Sequence, residues 1–316
     1  MRGLKHSIIV YLLTMKPIEA RTGIFYNSTA RSGNIYKAKK MGEELPGSEV
    51  RQLEFPLTEK TLPSGFDIVV FWGGDGTAGS VVSALMKRKI LQSEKVPFVV
   101  VGEGGTENGL HKTLNTARKV VTINDIKTLN LDKLALVKPG IINFRDTEDP
   151  DGRTFITLTG IGSIPLQYYN HREDIRRLPV IQKAPRISSV VAGARAAVSK
   201  DDFNGGMQLA FAIPCLGSFN VLPEQDIESN YLTFVSIKPG NRAVTFGRLV
   251  LLFALCTCRG KVPPTIASIE IGESFKLEGI KSTEAITDGE KIKLPQSDTI
   301  FLTRTKEALK IGALRI

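Results

Sequence analysis

Residues 67–83 read DIVVFWGGDGTAGSVVS, and this stretch decides the expected fold. The run from Ile68 to Trp72 is continuously apolar and rich in β-branched and aromatic residues, which is typical of a buried strand in a parallel sheet. A glycine-rich turn, Gly73-Gly74-Asp75-Gly76-Thr77, follows it. The next residues, Ala78 to Arg88, place their apolar side chains close to helical spacing. The sequence therefore predicts a strand, a tight turn and a helix.

This arrangement is suited to binding a phosphate group. The first N–H groups of a helix have no partner within the helix, and the helix dipole favours an anion there. Glycines allow the backbone to approach the phosphate closely. The carboxylate of Asp75 would repel phosphate directly, so it suits a group that acts through Mg²⁺ or accepts a proton. An ordinary strand-to-helix turn is the alternative, but the strand–turn–helix context favours the phosphate interpretation.

The turn resembles the GGDGT signature of diacylglycerol kinases, sphingosine kinases and NAD kinases, which transfer the γ-phosphoryl group of ATP to a hydroxyl. The loop Asn27-Ser28-Thr29-Ala30-Arg31-Ser32-Gly33 follows a predicted strand. It resembles the Asn-Pro-x-x-Ser-Gly element that touches ATP in the lipid kinases, with Ser28 in place of the proline. The resemblance covers roughly residues 21–316.

A second glycine-rich loop, residues 102–109, follows the predicted strand Val96 to Val101. It resembles the Gly-Thr-x-Asn-Asp motif of the lipid kinases, and Glu103, Gly109 and Lys112 replace the family's Pro, Asp and Arg. From the three loops together, the resemblance implies that the nucleotide is bound by Asn27, Ser28, Ser32, Gly33, Gly73, Gly74, Gly76, Thr77, Gly105, Thr106 and Asn108.

From about residue 131 the pattern changes to short apolar segments that alternate with turns, which predicts a β-rich sandwich. We therefore expect a Rossmann-like α/β ATP-binding domain over residues 1–130 and a β-rich lipid or substrate domain over 131–316. The last strand is a candidate to return to the first domain. The turn at 159–163 resembles one in the family, but Ile164-Pro165 replaces its Asp-Ala and leaves the identity of the lipid open.

Near the end of the chain, Asp288-Gly289-Glu290 would by itself indicate a hairpin turn. The family carries Asp-Gly-Glu at this place, facing the nucleotide across a cleft, and the resemblance implies that both acidic residues belong to the active site. The acceptor hydroxyl must lose a proton, so a carboxylate has to lie close to it. Asp75, Glu290 and Asp288 are the catalytic candidates. The sequence leaves open which of them is the base and which organises Mg²⁺.

The composition is that of a globular protein, with 42% hydrophobic and 23% charged residues and a formal net charge of +10. The excess of cations favours an anionic partner, and we expect peripheral contact with an anionic membrane rather than nucleic acid. The predicted membrane contact is formed by Arg172, Arg176, Arg177 and Lys183. The three cysteines are too few for a disulfide framework, which is consistent with a cytoplasmic protein.

The leading hypothesis is an ATP- and Mg²⁺-dependent kinase that phosphorylates a hydroxyl of a diacylglycerol-like or sphingoid-like lipid. NAD kinase is the alternative with the same chemistry. A nucleotide-binding regulatory protein without catalysis is the alternative from another class. The sequence does not decide the oligomeric state, and a homo-oligomer stays open.

Overall fold

The structure is a computed structural model that describes residues 20–29, 34–105, 108–144, 152–176, 192, 195–196, 207–213, 215–216, 219–220, 226–237, 240–257, 262–280, 283–295, 297 and 299–316. Several sequence predictions fall outside these ranges. They concern the loop residues Ser32, Gly33 and Thr106 and the basic residues Arg177 and Lys183.

The strands are β1 (Thr22–Tyr26), β2 (Glu49–Gln52), β3 (Ile68–Gly73), β4 (Phe98–Glu103), β5 (Val120–Thr122), β6 (Ala135–Val137), β7 (Gly140–Asn143), β8 (Arg153–Phe155), β9 (Leu158–Ile161), β10 (Met207–Phe211), β11 (Cys215–Leu216), β12 (Phe219–Asn220), β13 (Leu232–Ile237), β14 (Ser268–Gly272), β15 (Ser274–Glu278), β16 (Glu284–Thr287), β17 (Glu290–Lys293), β18 (Thr299–Arg304) and β19 (Leu309–Arg315). The helices are α1 (Asn34–Glu44), α2 (Asp75–Gln92), α3 (Gly109–Thr116), α4 (Ile123–Lys127), α5 (Ser163–Arg176) and α6 (Arg242–Thr257).

The first sheet has the strand order β2–β1–β3–β4–β19–β5, and all neighbours in this order are parallel. Strand β6 is antiparallel to β19. The apolar run from Ile68 to Trp72 is buried on both faces of this sheet. Val69 and Phe71 pack into one hydrophobic cluster, and Val70 and Trp72 pack into another. Burial on both faces explains why the run is apolar at every position.

The remainder of the chain is β-rich. One antiparallel sheet has the order β14–β13–β10–β9–β16–β17, and another has the order β15–β18–β7–β8. Ile142 and Leu302 of the smaller sheet share a hydrophobic cluster with Ile161 and Ala210 of the larger one, so the two sheets form a sandwich. The predicted fold class, an α/β nucleotide-binding-type unit with a β-rich sandwich, is confirmed by these sheets.

Two helices on the sandwich were not predicted. Ile164 of α5 and Leu249 and Leu252 of α6 pack against Leu209 and other residues on the outer face of the larger sheet. The C-terminal strand β19 lies inside the first sheet, between β4 and β5. The division of the chain near residue 130 stays a prediction. Among the helices that the structure describes, none is long and apolar enough to cross a membrane.

Candidate active site

The glycine-rich turn lies at the carboxyl end of β3, where the chain passes directly into α2. Gly74 is the N-cap of α2. Because glycine has no side chain, the cap residue accepts no side-chain hydrogen bond from the N–H groups of the first turn. A Cβ placed on Gly73 would lie 2.3 Å from the Cβ of Thr77, which leaves no room for a side chain. The first turn of α2 therefore presents backbone N–H groups at a site that is sterically restricted to glycine, which suits a phosphate group.

Asn27 links the first loop to this turn. Its Nδ2 donates a hydrogen bond of 2.9 Å to Oγ1 of Thr77, which is buried. Its Oδ1 accepts bonds from both the backbone N–H and the hydroxyl of Thr29. Ser28, which stands where the family has proline, is exposed beside them. The first loop is therefore held against the glycine-rich turn by side chains that sequence analysis assigned to the nucleotide.

The second glycine-rich loop touches the first turn directly. A Cβ placed on Gly105 would lie 2.2 Å from the Cα of Gly74, so there is no room for a side chain at position 105. Asn108 has a left-handed backbone with φ of 50°. Its Oδ1 accepts a bond of 2.6 Å from the N–H of Gly105, and its Nδ2 donates one of 2.8 Å to the oxygen of Gly105. Asn108 therefore shapes the loop itself.

Asp75 joins the two glycine-rich loops. One of its carboxylate oxygens accepts a bond of 2.9 Å from the N–H of Gly109, and the other accepts one of 3.0 Å from Leu110. These are the first N–H groups of α3, where a negative charge is favourable. The carboxylate of Asp75 therefore ties the start of α2 to the start of α3.

Asp288 is a buried acidic residue, only 3% exposed. Its carboxylate accepts bonds from the N–H groups of Ile156, Thr157 and Leu158 at 2.9, 2.7 and 3.2 Å, and from the hydroxyl of Thr157 at 2.5 Å. Burial raises the pKa of Asp288 to about 7, against the lowering effect of these bonds. Its carboxylate also lies against α2, since a Cβ placed on Gly79 would be 2.3 Å from Oδ2. The structure thus gives Asp288 contacts with the protein interior.

Glu290 is the carboxyl group that faces the glycine-rich turn from the sandwich. A Cβ placed on Gly76 would lie 2.8 Å from its Oε1. Although much of the residue is exposed, its carboxyl group is enclosed enough that desolvation raises its pKa. The two acidic residues that sequence analysis grouped are therefore separated, with Asp288 in the interior and Glu290 beside the first turn of α2.

Arg172 does not belong to an exposed basic surface, contrary to the prediction. This residue is only 8% exposed and lies on α5, which packs beside β16 and β17. A Cβ placed on Gly289 would be 3.7 Å from its Nη1. Its guanidinium group is thus directed at the turn between Asp288 and Glu290 and is unavailable to a membrane. Arg176 ends α5, and its side chain lies outside the described part of the chain.

Sequence analysis missed two residues that build the site. Asn34 is buried at the start of α1, and its Nδ2 donates to the backbone oxygens of Asn27 and Gly104. Gly79 allows the carboxylate of Asp288 to reach α2. A glycine inside a helical pattern is a detectable signal of close packing. Asn34 has no such local signal, because one of its partners lies 70 positions away.

Comparison with known proteins agrees with the motifs. Residues 24–138 match the family model of the diacylglycerol kinase catalytic domain. A putative lipid kinase of Staphylococcus carnosus (strain TM300) is 24% identical over 132 residues, a match that covers 36% of this chain and 41% of that protein. The match thus spans less than half of the relative's length. Yeast NADH kinase, in a crystal structure with NADH, has a TM-score of 0.49 and 10% identity, covering 94% of this chain and 84% of that one. Residues 24–138, which contain all three loops, are therefore similar to the diacylglycerol kinase catalytic domain, as the sequence motifs predict.

Proposed function

We propose that this protein is an ATP-dependent lipid kinase that transfers the γ-phosphoryl group to a hydroxyl of a diacylglycerol-like or sphingoid-like lipid. The observation that carries the proposal is the contact between the carboxyl group of Glu290 and Gly76 in the first turn of α2. This contact brings an acidic group to the place where the phosphates of ATP would bind. The family model that residues 24–138 match supports the reaction class, which is phosphoryl transfer. The similar putative lipid kinase supports a lipid as the acceptor.

The nucleotide is held by the three loops in this proposal. The N–H groups at the start of α2 bind phosphate oxygens, because they lack internal partners and carry the positive end of the helix dipole. Gly74 and Gly105 allow the two glycine-rich loops to close on the phosphates together. Phosphoryl transfer depends mainly on such positioning and on electrostatic stabilisation.

Magnesium would enter with the nucleotide. The residues that the structure describes contain no group of three or more His, Cys, Asp or Glu side chains that could hold a metal ion. Mg²⁺ is usually bound by one or two carboxylates together with substrate phosphates, and such a site needs no protein cage. The carboxylate of Asp75, at the start of α2 between the two glycine-rich loops, is the group that would bind it. Bound Mg²⁺ would offset the charge of the phosphates.

Glu290 acts as the general base. The acceptor oxygen attacks the γ-phosphorus, the bond to the bridging β–γ oxygen breaks, ADP leaves, and the hydroxyl proton passes to the carboxylate of Glu290. A raised pKa suits this role, because a base works best when its pKa lies near the working pH. The oxygens of Asp288 are occupied by the backbone of residues 156–158, so its role in the proposal is to hold the hairpin.

The lipid is met at an anionic membrane surface in the cytoplasm, with the protein bound peripherally. The net charge of +10 and the basic residues Arg176, Arg177 and Lys183 support this part of the proposal. NAD is the acceptor in the first alternative. The structural likeness to NADH kinase is too loose to bear on the acceptor. The second alternative is a nucleotide-binding regulatory protein without catalysis. The departures from the family's motifs at Gly109, Lys112 and Ile164 favour this alternative.

The test is an assay with γ-labelled ATP over a panel of diacylglycerol, monoacylglycerol, sphingosine and ceramide in mixed micelles, with NAD as a separate acceptor. We expect label on a lipid. Glu290→Gln should lower turnover by about 10²–10⁴-fold while ATP affinity is unchanged. Glu284→Gln is the matched control, because Glu284 lies on the same hairpin and pairs with Lys291 at the surface. Its turnover should equal that of the wild type.

Three outcomes would contradict the proposal. Label on NAD and on none of the lipids would establish the first alternative. ATP binding without transfer to any acceptor would favour a regulatory protein. Full activity of Glu290→Gln would remove Glu290 from the chemistry.

A further inference from the structure

Asn34 is a buried amide placed between two of the nucleotide loops. It is the first residue of α1 and is 2% exposed. Its Nδ2 donates a bond of 3.2 Å to the backbone oxygen of Asn27 and one of 3.1 Å to the backbone oxygen of Gly104. Asn27 opens the first loop and Gly104 lies in the second glycine-rich loop. One side chain therefore fixes the separation of the two loops.

The fit around this amide is close. A Cβ placed on Gly104 would lie 2.6 Å from Oδ1 and 2.9 Å from Nδ2 of Asn34. The absence of a side chain at Gly104 is thus what allows the amide to reach its backbone. The short side chain of asparagine carries two donor hydrogens on one nitrogen. Those two hydrogens match the two carbonyl groups that face it.

The bonds of Asn34 are part of a larger chain of contacts. Asn27, whose backbone oxygen accepts from Asn34, itself donates to Thr77 in the glycine-rich turn. Asp75 in that turn accepts from Gly109 at the end of the second loop. The three loops are thereby bonded to one another at the carboxyl ends of β1, β3 and β4.

We infer that Asn34 is a positioning residue for nucleotide binding, and this inference rests on the proposed function for the identity of the nucleotide. Asn34 acts through the two loops without touching ATP. It holds the first loop and the second glycine-rich loop at their bound separation before ATP arrives. A site that is ordered in advance binds more tightly, because binding no longer has to order the loops.

The experiment measures ATP affinity directly, by calorimetric titration of the full chain, so that it does not depend on the lipid. Asn34→Ala removes both donors, and we expect ATP to bind about tenfold more weakly, as the loss of one or two hydrogen bonds implies. The kcat at saturating ATP should change little, because bound ATP itself restores the loops. Asn34→Ser keeps a single donor and should have intermediate affinity.

Asn143→Ala is the matched control. Asn143 is 3% exposed on β7, in the smaller sheet of the sandwich, and its Nδ2 donates to Thr303. We expect its removal to lower thermal stability as Asn34→Ala does and to leave ATP affinity unchanged. This comparison separates positioning from a general loss of stability.

Equal ATP affinity in the wild type and in Asn34→Ala would overturn the inference, as would equal weakening in Asn143→Ala. If Asn34→Ala does not fold, Asn34→Ser decides, and wild-type affinity in that variant counts against the inference. A wild-type protein that does not bind ATP would instead overturn the proposed function, so the two failures are distinguishable.

Discussion

Two glycines of α2, one turn apart, meet two different carboxyl groups of the same hairpin. A Cβ placed on Gly76 would lie 2.8 Å from Oε1 of Glu290, and one placed on Gly79 would lie 2.3 Å from Oδ2 of Asp288. Inside a helix, alanine is favoured over glycine by about 1 kcal/mol. The same substitution at the two positions should nevertheless have opposite consequences, because only one of the two carboxyl groups is free to move.

Gly79→Ala should destabilise the protein. Asp288 is fixed by the N–H groups of residues 156–158 and by the hydroxyl of Thr157, so its carboxylate cannot withdraw from the new methyl group. Overpacking costs about 1–3 kcal/mol. Loss of one hydrogen bond to a charged group costs about 1.5–3 kcal/mol. After the gain in helix propensity, the net loss should be about 2–4 kcal/mol.

Gly76→Ala should instead leave stability within about 1 kcal/mol of the wild type, because the end of the Glu290 side chain is flexible and can swing away. Turnover should fall by at least about tenfold, since the base is then displaced from the first turn of α2. ATP affinity is measured in parallel, because Gly76 belongs to the predicted phosphate turn.

The assay is urea unfolding at pH 8, above the pKa of about 7 of Asp288, with free energies from linear extrapolation. Gly79→Ala should have the lower unfolding midpoint, and Gly76→Ala the midpoint of the wild type. Equal stability of the two variants would refute the packing of Asp288 against α2. Full turnover of Gly76→Ala would refute the placement of Glu290 in the reaction.

Three further predictions concern titration and membranes. Burial raises the pKa of Asp288 from 3.8 to about 7, so the folded state binds this proton more tightly than the unfolded state does. The free energy of unfolding should therefore fall as the pH rises from about 4 to 7, and Asp288→Asn should lack this dependence on pH. A general base works when deprotonated, so kcat/KM should fall as pH drops through the raised pKa of Glu290, above its ordinary value of 4.5; a fall only at or below 4.5 would argue against the role. Co-sedimentation of the protein should be stronger with anionic than with neutral vesicles. It should weaken with added salt and when Arg177 and Lys183 are neutralised, because each cation near the surface contributes about 1 kcal/mol. Equal binding to both kinds of vesicle would contradict the predicted contact with an anionic membrane.

The sequence by itself determined that β3 is a buried strand followed by glycines and a helix. A run such as 68–72 that is apolar at every position has to be covered on both sides, and the glycines directly after it indicate that the strand ends there. The helix nevertheless begins at Asp75, inside the turn predicted over Gly73 to Thr77. These are local properties, and the strand and helix bounds differ from the predicted ones by a few residues. The family resemblance rests on the same local motifs, and the match over residues 24–138 confirms it.

The tertiary structure alone decided how the acidic residues are divided. Asp288 and Glu290 are two positions apart, and residues so placed in a strand point to the same face. Here Asp288 and Gly289 have left-handed backbones, with φ of 51° and 81°, so the turn sends one carboxyl group into the interior and the other towards Gly76. The bond between Asn34 and Gly104 likewise spans 70 positions. No local pattern encodes such contacts, because they form only when β1, β3 and β4 lie side by side in one sheet and the sandwich closes over α2.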